Sequence, residues 1–203
     1  MSTISLATRE RIFAATRALL SKKGIDAVSM RAVAEAAGIS AGAIYRHYPN
    51  KDALVTEIVT EAHKQLQTVL WQALAKHPVG SLQRIAELGA VYMSFARRSP
   101  DDYVLLFGPQ SGALRPFGGS AAQDAITIAL ECIRDAMKNG VMKKADPMIV
   151  ALHLWGRLHG LIMLSLTFDF SKDYPEFGKD DGLEVIFERT RSFVYDGLRR
   201  KQS

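Results

Sequence analysis

The sequence predicts an all-α fold: a three-helix unit with a helix-turn-helix at the N-terminus, followed by a larger helical bundle. Apolar residues recur at helical spacing over most of the 203 residues. No run alternates with the period of two expected of a half-buried strand. Gly and Pro cluster between the periodic segments, where the chain must reverse. Between Ser29 and Lys51 two short helical patterns are separated only by Gly38 and its neighbours, a helix-turn-helix arrangement.

The elements follow in order. A first helix is expected from about Leu6 to Lys23, with Ile12, Phe13, Ala15, Leu19 and Leu20 apolar and Arg9, Glu10, Arg17 and Lys22 opposite. Lys22, Lys23 and then Gly24 mark its end, with cations against the last carbonyls. Ser29 caps Met30–Ala37, and Gly38 stops it. Ser40 caps Ala41–Tyr48, and Pro49 forbids its continuation. Asn50 caps a long helix from Lys51 to about Lys76, whose apolar side includes Leu54, Val55, Ile58, Ala62, Leu66 and Leu70. Further helices are expected at 81–98, 101–107, 120–139, 147–168 and 182–200, with loops at Gly108–Gly119 and Asp169–Gly182. The expected division is 1–52 and 53–203, joined by the helix at about 51–76.

Composition excludes several classes. At 22.4 kDa, with 48% apolar and 23% charged residues, the chain can bury a full core without staples. The single Cys132 excludes an intrachain disulfide and any zinc site needing a Cys pair. The longest uncharged apolar run, Leu158 to Phe168, is about half the ~20 residues of a membrane span. Met1 to Arg11 has no apolar core of signal-peptide length. A cytoplasmic protein with no membrane partner is expected.

Catalysis has no support in the motifs. The glycines of Gly108–Gly119 match neither the P-loop nor the dinucleotide-binding spacing, and no strand precedes them. No G-x-S-x-G or H-E-x-x-H run occurs. Asp101-Asp102 and Asp180-Asp181 read as carboxylates complementing helix N-termini. No second ligand stands at metal spacing from His159, since His153 is on another side of the helix. No enzyme, cofactor or metal site is expected.

Charge is unevenly placed. Residues 1–52 carry eight basic and four acidic groups, a net +4, while 53–203 carry 18 and 17, a net +1. Such asymmetry points to a polyanion. In the second helix of the corner, Ala41, Gly42 and Ala43 are small enough to let the backbone sit deep in a major groove. The Ser40 hydroxyl and the positive helix end favour a phosphate, and Lys51 is placed for another. Tyr45, Arg46, His47 and Tyr48 supply polar tips at the rim.

Thr8 to Val59 resembles the N-terminal domain of TetR-type transcriptional regulators. The matching residues are Arg11-Ile12, Ala14-Ala15, Gly24, Ser29-x-Arg31-x-Val33-Ala34, Ala37-Gly38-Ile39-Ser40 and Ile44-Tyr45-x-His47-Tyr48-x-Asn50-Lys51-x-x-Leu54. The resemblance implies an all-helical, homodimeric repressor of a near-palindromic double-stranded DNA operator, released by a small-molecule effector. It implies backbone contacts from Ser29 and Arg31, base-facing Ser40, Ala41, Gly42 and Ala43, phosphate contacts from Tyr45, His47 and Lys51, and packing for Tyr48. Arg46 stands at a variable position, where it can contact DNA or simply be solvated.

Farther along, Arg98–Gly108 and Trp155-x-x-x-His159-Gly160 resemble the C-terminal subgroup named for its Trp-His-Gly signature. The family's dimer interface would use helices 120–139 and 147–168. Its apolar candidates are Ile126, Leu130, Ile133, Met137, Val150, Leu154, Leu158, Leu161 and Met163, which the sequence cannot divide between interface and core. The ligand pocket would draw on Phe95, Tyr103, Phe107, Trp155, His159 and Met163, a lining that suits an apolar or aromatic molecule. The effector itself is unknown. The alternative reading is a small-molecule-binding or interaction protein with a vestigial helix-turn-helix.

Overall fold

The first helix of the structure, a computed structural model, is α1 (Thr3–Lys23), and a 3-10 turn, Ile25–Ala27, follows it. Then come α2 (Met30–Ala36), α3 (Ala41–Tyr45), α4 (Lys51–Leu74), α5 (Leu82–Arg98), α6 (Pro100–Phe107), α7 (Ala121–Lys138) and α8 (Pro147–Thr167). The structure describes residues 3–109, 113, 121–168, 172, 185–189 and 197–198. Among them there is no β-strand, and residues 185–189 and 197–198 are helical. Most of the expected loops at 108–119 and 169–182, and most of the expected helix at 182–200, lie outside the described residues.

The helix expected at Ala41–Tyr48 is the one most shortened among the first four. α3 ends at Tyr45, and the backbone N–H groups of both His47 and Tyr48 converge on the Ile44 carbonyl. Pro49 explains this, because its ring pushes the preceding residue out of the helical region and unwinds the last turn early.

The chain forms two compact units. The first comprises Met1–Thr68 and Phe95–Ala122, the second Val69–Ser94 and Gln123–Ser203. In the first, Ile12, Leu20, Val33, Ile44, Leu54, Ile58 and Tyr103 are fully buried. α6 belongs to this unit through α1: Arg17 Nε pairs with Asp102 Oδ1 at 2.8 Å, and Ser21 Oγ donates to Asp101 Oδ1 at 2.8 Å. Asp102 is only 5% exposed, and burial raises its carboxyl pKa against the opposing pull of Arg17. The expected dipole-complementing carboxylates of α6 are therefore tied to α1 as well.

In the second unit Leu74, Ile133, Met142 and Ile162 are fully buried. Asp146 caps α8 by accepting from the N–H of Met148 at 2.8 Å, and Pro147 takes the first helical position, where no N–H is needed. The turn before α5 is held by Asn139, whose side-chain amide donates to the Val79 carbonyl at 3.2 Å. α8 is long and apolar enough, by length and composition, to cross a membrane, with a mean hydropathy of 1.5 over its best window. The uncharged run beginning at Leu158 understated it, because the apolar stretch extends back past Arg157. Only 28% of that window is buried, and the Arg157 guanidinium stands 5.2 Å over the Phe187 ring.

Candidate nucleic-acid interface and internal cavity

The corner between α2 and α3 is built around Gly38. Its φ of +62° is left-handed, which a side chain strains. The Gly38 N–H donates to the Glu35 carbonyl and the Ile39 N–H to the Ala34 carbonyl at 2.9 Å, closing the α2 C-terminus. A Cβ on Gly38 would stand 2.9 Å from Arg11 Nη2. That guanidinium donates from α1 to the carbonyls of both Ala37 (2.5 Å) and Gly38 (2.7 Å). Ser29 and Ser40 cap the two helices, their hydroxyls accepting from the N–H groups of Ala32 (3.1 Å) and Ala43 (3.2 Å). Val33, Ala34, Ala37 and Ile44 are buried in the corner.

The structure sorts the expected contact residues. Ser29, Arg31, Ser40, Ala41, Gly42, Tyr45 and Arg46 are exposed, with Tyr45 at 56%. His47 and Lys51 are half-buried. Ala43 is 9% exposed, against the expectation of an exposed side chain: in a helix this short it lies beside the fully buried Ile44. Its methyl packs, and the outward surface of α3 is Ala41, Gly42, Tyr45 and Arg46. Among the described residues, nothing beyond the chain neighbours and local helix backbone stands within 4 Å of where a Gly42 Cβ would lie. Tyr48 is buried, with its ring 6.4 Å from that of Phe13. Burial raises its phenol pKa, and Arg9 opposes the shift.

The cations of this quarter divide too. Arg9 pairs with Glu57, Arg17 with Asp102, Arg11 binds the corner carbonyls, and Lys51 Nζ donates to the Ile25 carbonyl at 2.7 Å. Lys22, Lys23, Arg31 and Arg46 are exposed. The role of Arg11 is the main feature that the sequence did not reveal. One basic residue on a helix surface resembles any other until its distance to a turn far along the chain is known.

The second unit contains a cavity of about 580 Å³, counting the part open to solvent. Its lining is Leu70 of α4, Ile85, Leu88, Gly89 and Tyr92 of α5, Ala125, Ile126, Ala129 and Ile133 of α7, and Ala151, Leu154, Trp155 and Leu158 of α8. Trp155 Nε1 donates to Tyr92 Oη at 2.9 Å, and that oxygen lies 3.4 Å from His159 Nδ1. Burial lowers the His159 pKa, so its imidazole is neutral at neutral pH.

Of the six expected pocket residues, only Trp155 lines this cavity. His159 lies behind Tyr92, and the half-buried Met163 is not in the lining. Phe95, Tyr103 and Phe107 fall in the first unit and are buried there, with Tyr103 and Phe107 ring centroids 5.2 Å apart. Tyr92 and the small residues Gly89, Ala125, Ala129 and Ala151 were missed. A cavity forms where small residues on facing helices coincide, and one sequence does not say which helices face.

The interface candidates divide as well. Leu130, Ile133, Val150 and Leu158 are buried within the chain, and Ile126, Ile133, Leu154 and Leu158 line the cavity. The exposed apolar side chains of α8 are instead Met148, Ile149 (63%), Leu152, Leu164 and Leu166. Among the described residues, nothing beyond their own chain neighbours and helix backbone comes within 4 Å of a Cβ position on Gly156 or Gly160. α7 exposes Thr127, Glu131, Arg134 and Lys138, a polar stripe. No group of three or more His, Cys, Asp or Glu that could hold a metal ion occurs among the described residues.

Comparison with known proteins matches residues 12–58 to the family described as bacterial regulatory proteins, tetR family. Residues 85–189 match the tetracyclin repressor-like C-terminal domain. The HTH-type transcriptional repressor KstR of Rhodococcus jostii is 36% identical over 77 residues, 38% of this chain and 36% of that protein. The chain thus spans about a third of that repressor's length. The ketosteroid transcriptional regulator KstR2 of Mycobacterium tuberculosis superposes with a TM-score of 0.70 over 95% of each chain at 14% identity. A transcriptional regulator from Saccharomonospora viridis, solved in complex with choline, superposes with a TM-score of 0.69 at 18% identity over 95% of this chain and 98% of its own. At such identities these structures speak for the fold.

Proposed function

The chain belongs to the TetR family of bacterial regulatory proteins, and from that premise we propose that it is a dimeric, ligand-responsive repressor of transcription. The observation that carries this reading is the α2–α3 corner. Its glycine turn is pinned by Arg11, both helices are capped, and α3 turns Ala41, Gly42, Tyr45 and Arg46 to solvent.

The proposed division of labour is DNA reading by residues 1–52 and ligand binding with dimerisation by 53–203. Ala41 and Gly42 let α3 approach base edges. Arg31, Tyr45, Arg46 and His47 reach phosphates or the groove rim, and Ser29 and Ser40 meet the backbone beside their caps. Lys51 contacts a phosphate only by sharing or leaving the Ile25 carbonyl. A second copy would pack on the exposed apolar face of α8, where Gly156 and Gly160 permit close helix approach, with the polar stripe of α7 at the rim. Two recognition helices in such a dimer would read half-sites about 34–36 Å apart. An effector in the apolar cavity would favour a state of lower operator affinity, through a coupling of about 1–3 kcal/mol. The Trp155–His159–Gly160 signature fits a Trp-His-Gly C-terminal type, and the cytoplasm is the compartment in which such a regulator would act.

The test is binding to a duplex that the protein itself enriches from a random pool, measured against salt. Each phosphate contact contributes a slope of about −0.9 in log K against log salt. A steep slope with a palindromic consensus is expected. A flat slope without a consensus would instead support an interaction protein with a vestigial helix-turn-helix.

A further inference from the structure

The lining of the second-unit cavity contains no carboxylate, amine, guanidinium or imidazole among its described residues. Its polar atoms on side chains are Tyr92 Oη and Trp155 Nε1, and these bond to each other. Ala125 and Ala129, one turn apart on α7, and Ala151 on α8 keep side-chain bulk low in the lining. At the polar end Tyr92 is 5% exposed and Trp155 is half-buried.

We infer that this cavity takes an uncharged, largely apolar molecule, with any single polar group directed to the Tyr92–Trp155 end. This deepens the reading of the protein as a ligand-responsive regulator and rests on it for the consequence of binding. The reason is electrostatic. A carboxylate or a quaternary ammonium placed here would leave water with no opposite charge among the described lining residues to replace its hydration. A hydroxyl or carbonyl loses far less and has a hydrogen-bonding group at one end of the cavity. The apolar remainder gains from burial against Leu, Ile and Ala side chains.

The experiment uses the full-length protein and the neutral fluorophore N-phenyl-1-naphthylamine as the probe. Three competitors share one ten-carbon chain and differ in head group: 1-decanol, decanoate and decyltrimethylammonium. Decanol should displace the probe at least about tenfold more effectively than either ion. Equal or better displacement by decanoate or the ammonium would overturn the assignment. Ala129→Leu, which fills the cavity, should weaken probe binding at least about tenfold. A folded Ala129→Leu protein, verified by circular dichroism, that binds the probe as wild type would also overturn it. The enriched duplex is titrated in parallel with and without decanol. Selective displacement with unchanged DNA affinity would uphold the ligand class while overturning the effector role proposed for the cavity.

Discussion

The corner that presents α3 and the cavity of the second unit use polar groups in opposite ways. In the corner the structure depends on them: two serine caps, a left-handed glycine and a guanidinium on two carbonyls fix one backbone path. Among the described lining residues of the cavity only Tyr92 and Trp155 carry polar side-chain atoms, and these bond to each other. A surface that reads a regular polyanion needs a backbone fixed to a fraction of an ångström. A pocket for a small apolar molecule needs shape and dryness, which small side chains on facing helices supply.

The largest expected effect breaks only the first half of this contrast. Gly38→Val puts a β-branched residue at φ +62° and a Cβ against Arg11 Nη2. The backbone term alone costs about 1–2 kcal/mol. Binding to the enriched duplex should be lost, while probe binding in the cavity stays within about twofold. Simultaneous loss of both, in a protein that still melts cooperatively, would show that the two sites are not independently built.

A smaller effect separates inward from outward cations. Arg11→Ala removes two charge-assisted hydrogen bonds, each worth about 1.5–3 kcal/mol. DNA affinity should fall at every salt concentration with the slope unchanged, because Arg11 is engaged by carbonyls of its own chain. Arg46→Ala should cost less affinity but reduce the magnitude of the slope by about 0.9, the loss of one phosphate contact. If Arg11→Ala flattens the slope and Arg46→Ala does not, the assignment of these two residues is reversed.

The same contrast explains what the sequence disclosed. The corner rests on local signals, namely Gly38, Ser29, Ser40, Pro49 and their spacing, so its elements were legible within a few residues. Where it was misjudged, the reason was still local. Ala43 looked exposed because small residues suit a groove, but helical periodicity in a five-residue helix turns it inward with Ile44. The cavity depends on how α4, α5, α7 and α8 face one another, and aromatic content was a poor substitute for that. Phe95, Tyr103 and Phe107 are large core residues of the other unit, whereas the cavity is lined mainly by leucines and isoleucines, with Ala125, Ala129 and Ala151 among them. Net charge misled in a related way, since four of the eight cations in residues 1–52 are engaged by groups of the protein itself.

The smallest expected effect is a response to acid of opposite sign in the two units. Burial raises the Asp102 pKa above its ordinary 3.8, so the folded protein holds that proton more tightly than the unfolded chain. Its contribution is a gain in stability as pH falls through the raised value, complete below 3.8. Burial lowers the His159 pKa below its ordinary 6.5, so here the unfolded chain is the better base. That contribution is present above 6.5 and is lost as pH falls towards the lowered value. Thermal melting from about pH 7 down to about pH 4 checks both signs, comparing wild type with Asp102→Asn and His159→Gln. Relative to wild type, the asparagine variant should lose ground on acidification and the glutamine variant should gain it. Parallel curves for all three proteins would mean that neither side chain is as desolvated in solution as its burial in the structure requires.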